Sequence, residues 1–306
     1  MHLQRFVQAS DATPRVGVTT SDSVALIDID TMGSLLALSL AEIRNLVETA
    51  PRSLLTDDIV ALPPCDGLME VWAAGVTYER SKVARVEEST QADVYERVYG
   101  SARPELFMKA VPWRTVTDDE NIAIRRDSAL NVPEAELAVV ANASGEIVGF
   151  TICNDMSSRQ IEGENPLYLP QAKIYAGSCA LASRVRPSWE LDASDLQIEI
   201  VVERSGAIVW EDTTSTVSMR RSPEELIEYL FREEQFPHGV ILSTGTGLVP
   251  TMQFTLVQGD VVIITIEGVG RLSNTVIAGK QAFSWLVDAE QGISQRGVRS
   301  LRDPPT

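Results

Sequence analysis

Residues 133–155 read PEAELAVVANASGEIVGFTICND, and this stretch decides the fold class. The runs Leu137–Val140 and Ile147–Cys153 are apolar and rich in β-branched side chains, and Asn142-Ala143-Ser144-Gly145 between them are residue types that accept a tight turn. The stretch therefore predicts an antiparallel hairpin. Alternate residues of a strand share a face, so Glu134 and Glu136 project side by side. A tight turn brings Asp155, at the end of the second strand, beside the start of the first. Adjacent, partly buried carboxylates repel one another unless a proton or a cation neutralises them. Three hard oxygen ligands without His or Cys suit Mg²⁺, Mn²⁺ or Ca²⁺ rather than Zn²⁺. On spacing alone, a solvated strand edge of alternating charge explains the two glutamates with no ligand at all.

Working outward, LQIEIVVERSGAIVWED (196–212) predicts a second hairpin turning at Ser205-Gly206. Ser222-Pro223-Glu224-Glu225 opens a helix running to about Glu234, with Ser at the N-cap, Pro at the first helical position and Glu at the third. GVILSTGTG (239–247), GDVVIITIEG (259–268) and GRLSNTVIAG (270–279) predict strands with glycine corners. In the other direction, VWAAGVTY (71–78) predicts a strand, followed by a charged helix from Glu79 to about Tyr99. Pro51, Pro63 and Pro64 mark 51–66 as a linker. Before it lie a hairpin over 15–30, turning at Ser21-Asp22-Ser23, and a helix over 34–50. The expected fold is α+β and mostly β. It comprises a small N-terminal domain and linker (1–66), a strand-rich catalytic domain (67–286) and a polar, fraying C-terminal tail (287–306).

Composition narrows the function. A net charge of −17 argues against nucleic-acid or anionic-membrane partners, which need a basic surface. No apolar run reaches the roughly 18 residues of a membrane span, and the N-terminus lacks a signal-type apolar core. Cys65, Cys153 and Cys179 are odd in number and widely spaced, which predicts no disulfide framework and a reducing cytoplasm. With only His2 and His238 present, an HExxH zinc site is excluded, and GxSxG is absent. His238, in a turn before a strand, reads as a loop residue, and Cys153 as core. Chemistry is left to carboxylates, lysines and hydroxyls.

The order of motifs resembles the fumarylacetoacetate hydrolase-like superfamily. The similarity runs from the ExELAVV strand at Glu134–Val140 through Gly149-Phe150-Thr151 and Asn154-Asp155-Met156-Ser157 to Arg159-Gln160. It continues with Lys173, Thr244-Gly245-Thr246, and Gly259-Asp260 to Asn274, covering roughly residues 70–280. The resemblance implies a mixed β-roll, metal ligands at Glu134, Glu136 and Asp155, Mg²⁺ as the metal, and a homodimer or homotetramer acting on a small molecule.

One departure selects the branch. Hydrolytic members carry NYxxHxxE, whose His–Glu pair activates water; here Ser81 and Ala84 stand at those places. The strings 94–99, 103–110, 164–171, 173–177 and 219–221 instead resemble the members that dehydrate 2-keto-3-deoxy sugar acids. That likeness implies a hydro-lyase converting a 2-keto-3-deoxy-pentonate to 2,5-dioxopentanoate in pentose catabolism. It implies Glu105 for proton transfer, Lys173 for substrate oxygens and developing enolate charge, and Thr246 for the substrate carboxylate. Arg80 and Ser81 are candidates for substrate hydroxyls, with Tyr78 in the same stretch. A diketo-acid hydrolase or decarboxylase is the alternative, and a silent ligand-binding protein a further one.

Overall fold

The computed structural model describes residues 1–8, 11–21, 23–54, 59–88 and 97–290. The strands are β1 (His2–Gln8), β2 (Asp11–Thr19), β3 (Val24–Leu26), β4 (Arg52–Leu54), β5 (Ile59–Leu62), β6 (Glu70–Gly75), β7 (Glu105–Ala110) and β8 (Ile122–Ile124). They continue with β9 (Asn131–Val132), β10 (Ala135–Ala141), β11 (Ile147–Asp155), β12 (Ser157–Ser158), β13 (Cys179–Leu181) and β14 (Arg184–Pro187). The last five are β15 (Gln197–Arg204), β16 (Ala207–Ser215), β17 (Val240–Ser243), β18 (Val261–Ile266) and β19 (Gly270–Ala278). A large sheet runs β4-β3-β2-β1-β14-β11-β10-β17-β6-β7, with β13 on β11 and β5 on β1. A second sheet runs β16-β15-β18-β19-β8, and β9 pairs with β12. The expected strand-rich, mixed architecture is what the chain adopts.

The β10–β11 hairpin sits at the centre of the large sheet, with β17 on its other side. Its alternate side chains enter two different cores. Ala135, Leu137, Val139, Phe150 and Ile152 pack against Ile198, Ile200, Val262 and Ile264 of the second sheet. Ala138, Val140, Val148 and Cys153 pack against Met32, Leu35, Ile43 and Val47 of the N-terminal helices. Burial on both faces explains why the sequence here is nearly continuous in apolar residues. Burying one such Leu or Val contributes roughly 1.5–3 kcal/mol.

Several expected elements differ. The helix over 34–50 is two helices, Met32–Leu36 and Leu40–Thr49. Ser39 and Glu42 form a reciprocal capping box that starts the second one afresh. The expected linker 51–66 is woven into the sheet as β4 and β5, because its prolines flank the strands rather than interrupt them. It also carries buried Asp66, which pairs with Arg5 at 2.9 Å and accepts from the amides of Met32 and Gly33 at 2.8 and 3.0 Å. β6 stops at Gly75 because Val76 adopts φ +53°. The helix from Glu79 is described to Glu88; of the rest of its expected span, residues 89–96 lie outside the described residues. The helix at Pro223 ends at Leu230, short of Glu234. The expected tail begins inside a helix, Ser284–Glu290, where Leu286 is buried. Residues 291–306 lie outside the described residues, as do Asp22 of the first expected turn and 94–96 of the dehydratase-like string. β1 pairs with β14 through Leu3↔Val185, so the sheet runs on from the N-terminal strands.

Candidate active site

Strand direction assembles the site. β6 and β17 are parallel, while β7 is antiparallel to β6 and β10 is antiparallel to β17 and β11. The ends of β6, β17 and β11 therefore meet the starts of β7 and β10. Glu105, the 75–78 turn, Thr244–Thr246, Glu134, Glu136 and Asp155 all belong to that one end of the sheet.

The three expected metal carboxylates do converge. Glu134, Glu136 and Asp155 each offer one oxygen within 4.8 Å of the others, and all three are buried. The register Glu136↔Cys153 places Asp155 two residues on, on the same face. The reading as a solvated edge is thereby overturned: β10 is covered on both sides. Glu136 accepts from Ser243 Oγ at 2.5 Å and from the amide of Gly245 at 2.8 Å. Burial, followed by the negative charges of Asp155, Cys153 and Glu134, pushes its carboxyl well above the usual carboxylate range. A cation relieves that repulsion, so the donor set fits a hard divalent ion.

Lys173 is brought into the cluster by a short helix, Leu169–Lys173. Its Nζ donates to Glu134 Oε2 at 2.8 Å, Asp155 Oδ2 at 3.1 Å and Ser157 Oγ at 2.6 Å. A second buried ammonium, Lys109, lies 2.5 Å from Asp155 Oδ1. Sequence reading gave Lys109 no role, although a lysine in the apolar strand ELFMKA is a signal that could have found it.

The turn after β6 is strained where it borders the site. Val76 is β-branched at positive φ, an arrangement that persists only where surrounding contacts enforce it. Thr77 Oγ1 donates to the carbonyl of Thr244 at 2.6 Å, tying this turn to the TGT loop. Gly245, at φ +88°, has no room for a side chain, since a Cβ would lie 2.1 Å from Thr77 Oγ1. A Cβ on Gly75 would lie 2.1 Å from Glu105 Oε2, so that carboxylate rests against the end of β6. Tyr78 is buried, and its hydroxyl is pushed above its ordinary pKa by burial and then by Glu136.

The remaining candidates are placed differently. Thr246 is buried in the loop, and its Oγ1 accepts from the amide of Leu248 at 3.0 Å. Ser81 Oγ donates to the carbonyl of Tyr78 at 2.7 Å and closes the first turn of its own helix. Arg80 is turned toward Asp212, at 3.0 Å, and the carbonyl of Val249, at 3.3 Å. His238 lies in the turn before β17, and Cys65, Cys153 and Cys179 are buried free thiols.

Comparison with known proteins bears on this geometry. Residues 70–277 match the family model described as fumarylacetoacetate (FAA) hydrolase C-terminal. The chain is 43% identical over 283 residues to a probable 2-keto-3-deoxyxylonate dehydratase of Haloferax volcanii, covering 89% of this chain and 96% of that one. It is 43% identical over 230 residues to 2-dehydro-3-deoxy-D-arabinonate dehydratase of Saccharolobus solfataricus, covering 74% and 77% of the two chains. A solved structure of 2-keto-3-deoxy-D-arabinonate dehydratase complexed with magnesium and 2,5-dioxopentanoate superposes with a TM-score of 0.79 at 36% identity, over 91% of this chain and 99% of that one. The chain belongs to the fumarylacetoacetate hydrolase C-terminal family.

Proposed function

We propose that this protein is a magnesium-dependent hydro-lyase that dehydrates a 2-keto-3-deoxy-pentonate to 2,5-dioxopentanoate. The observation that carries the reading is the buried triad Glu134, Glu136 and Asp155, with Lys173 among its oxygens, in a chain 43% identical over most of its length to a dehydratase. The names of the two relatives agree chemically. With C2 a ketone and C3 a methylene, xylonate and arabinonate skeletons of the same C4 configuration are one molecule.

Glu134, Glu136 and Asp155 would hold magnesium. When bound, it supplies Lewis-acid polarisation of the 2-keto acid. Lys173 Nζ binds substrate oxygen and balances the negative charge that grows as C3 loses its proton. Glu105 takes the C3 proton and returns it to the C4 hydroxyl, which leaves as water; a proton shift from C5 to C3 then gives a C4–C5 enol, which tautomerises to the C5 aldehyde. The support for Glu105 is its place at the same sheet end, against Gly75. Thr246 and its loop bind the substrate carboxylate. Arg80 and Ser81 were expected at substrate hydroxyls and find less support, because both are engaged with Asp212, Val249 and Tyr78.

We also read the protein as cytoplasmic, which three buried free thiols favour. No helix among the described residues is long and apolar enough to cross a membrane. We also read the protein as assembling into a homodimer or homotetramer, with β16, the edge strand of the second sheet among the described residues, as an open edge for a second copy. A place in pentose catabolism follows from the substrate.

The deciding assay supplies protein and Mg²⁺ with 2-keto-3-deoxy-D-arabinonate and, separately, with an acylpyruvate. Loss of water and appearance of 2,5-dioxopentanoate are expected. Faster carbon–carbon cleavage of the acylpyruvate would replace this reading with the hydrolase one.

A further inference from the structure

The chain has four lysines, Lys82, Lys109, Lys173 and Lys280, and two of them meet at one buried carboxylate. Lys109 is fully buried. A break in the β6–β7 register presents it: Val71 pairs with Ala110 and Trp72 with Met108, so Lys109 is the extra residue. Such a bulge bends the strand and re-aims a side chain. The Lys109 ammonium faces three oxygens: Asp155 Oδ1 at 2.5 Å, the carbonyl of Met156 at 3.2 Å, and the carbonyl of Lys173. Lys109 is thus tied by hydrogen bonds to two backbone carbonyls and by charge to Asp155, whereas Lys173 donates to three side-chain oxygens, two of them from the expected metal ligands, for which a bound cation would compete. Lys173 approaches the other oxygen of the same carboxylate, Asp155 Oδ2, at 3.1 Å.

We propose that Lys109 is a positioning residue for the metal cluster. It fixes the Asp155 carboxylate from the side opposite Lys173 and holds the backbone carbonyl of Lys173, so one buried ammonium sets both a metal ligand and the substrate-facing lysine. This rests on the reading that Glu134, Glu136 and Asp155 hold a divalent cation. Partners that orient metal ligands from behind typically contribute about 10–100-fold in metal affinity or activity. Charge counting alone gives the opposite sign, since removing a positive charge beside Asp155 would tighten cation binding.

Calorimetric titration of MgCl₂ into metal-free wild-type and Lys109→Met protein tests this, with folding checked by circular dichroism. The variant should bind Mg²⁺ about 10–100-fold more weakly. Equal or tighter binding by folded Lys109→Met overturns the proposal. A wild-type protein that takes no Mg²⁺ removes the underlying reading and the proposal with it. Should Lys109→Met fail to fold, ¹⁵N-lysine NMR of the wild type decides. Two slowly exchanging ammonium signals are expected, and the one that survives in Lys173→Met should persist at saturating Mg²⁺. Its absence, or its loss when Mg²⁺ binds, overturns the proposal.

Discussion

Two hairpins of this chain look alike in sequence and do opposite things. In β10 the pattern Ala135-Glu136-Leu137 sets a glutamate between apolar residues, and in β15 Ile198-Glu199-Ile200 does the same. Glu199 is exposed and Glu136 is buried. β15 belongs to a sheet packed on one face, with Ile198, Ile200 and Val202 turned inward. β10 is the middle of a sheet with one core on each side. Period-two alternation says which residues share a face. What covers that face is decided by elements far away in the chain. A carboxylate under an open face is solvated; the same carboxylate under a second layer needs a proton or a cation.

The comparison is broken most severely at the glutamates themselves. Glu136→Gln should cost more in turnover and Mg²⁺ affinity than the about 10–100-fold typical of an outer-shell partner, while Glu199→Gln should leave both unchanged. EDTA should mimic the first and spare the fold. Comparable effects of the two substitutions, in steady-state kinetics with Mg²⁺ titration, would erase the distinction.

Glu105 sharpens it, since it stands at the same sheet end without belonging to the triad. Glu105→Gln should lower kcat about 10²–10⁴-fold with little change in KM, as for a group acting in the transition state. Dehydration of 2-keto-3-deoxy-D-arabinonate at the wild-type rate would remove Glu105 from the reaction.

Packing gives the next contrast. Leu137 is fully buried in β10, whereas Ile208 on β16 is 55% exposed. Leu137→Ala should destabilise by about 2–5 kcal/mol, and Ile208→Ala by no more than about 0.5 kcal/mol. Urea unfolding of both variants measures the difference, and similar midpoints would contradict the two-core description.

The smallest effect belongs to the N-terminal strand. Burial, then the positive charges of the N-terminus, Arg186 and Arg184, lower the His2 pKa to about 4. Between pH 6.5 and 4 the unfolded chain takes up a proton that the folded ring refuses, so stability falls as pH drops through that window. The ring is partly exposed, and solvent screening leaves roughly 1–2 kcal/mol. His2→Gln should flatten this part of the pH–stability curve; an unchanged slope would show that His2 takes no part in it.

Both hairpins, the Ser222 helix cap and the three glycine-cornered strands were legible because each is written in local terms. The single helix over 34–50 failed where a capping signal inside it, Ser39 to Glu42, outweighed the apolar spacing. The linker failed because prolines delimit β4 and β5 instead of breaking them. Asp155 could be placed beside Glu134 and Glu136 because a tight hairpin fixes its own register. Lys109 could not, since its direction depends on a bulge that exists only in the pairing of β7 with β6.

The sequence by itself determined the hairpins and the glycine-cornered strands, which of their residues share a face, the order of the family's motifs and the residue types available for chemistry, while strands such as β7 and β14 went unread. Propensity, period and turn preference act over a few neighbours and need no partner. Only the tertiary structure decided that Glu136 is buried rather than solvated, that two lysines flank Asp155, and that Arg80 turns to Asp212. Burial and charge pairing are set by what packs across a face, and those partners come from residues 18 to more than 130 positions away.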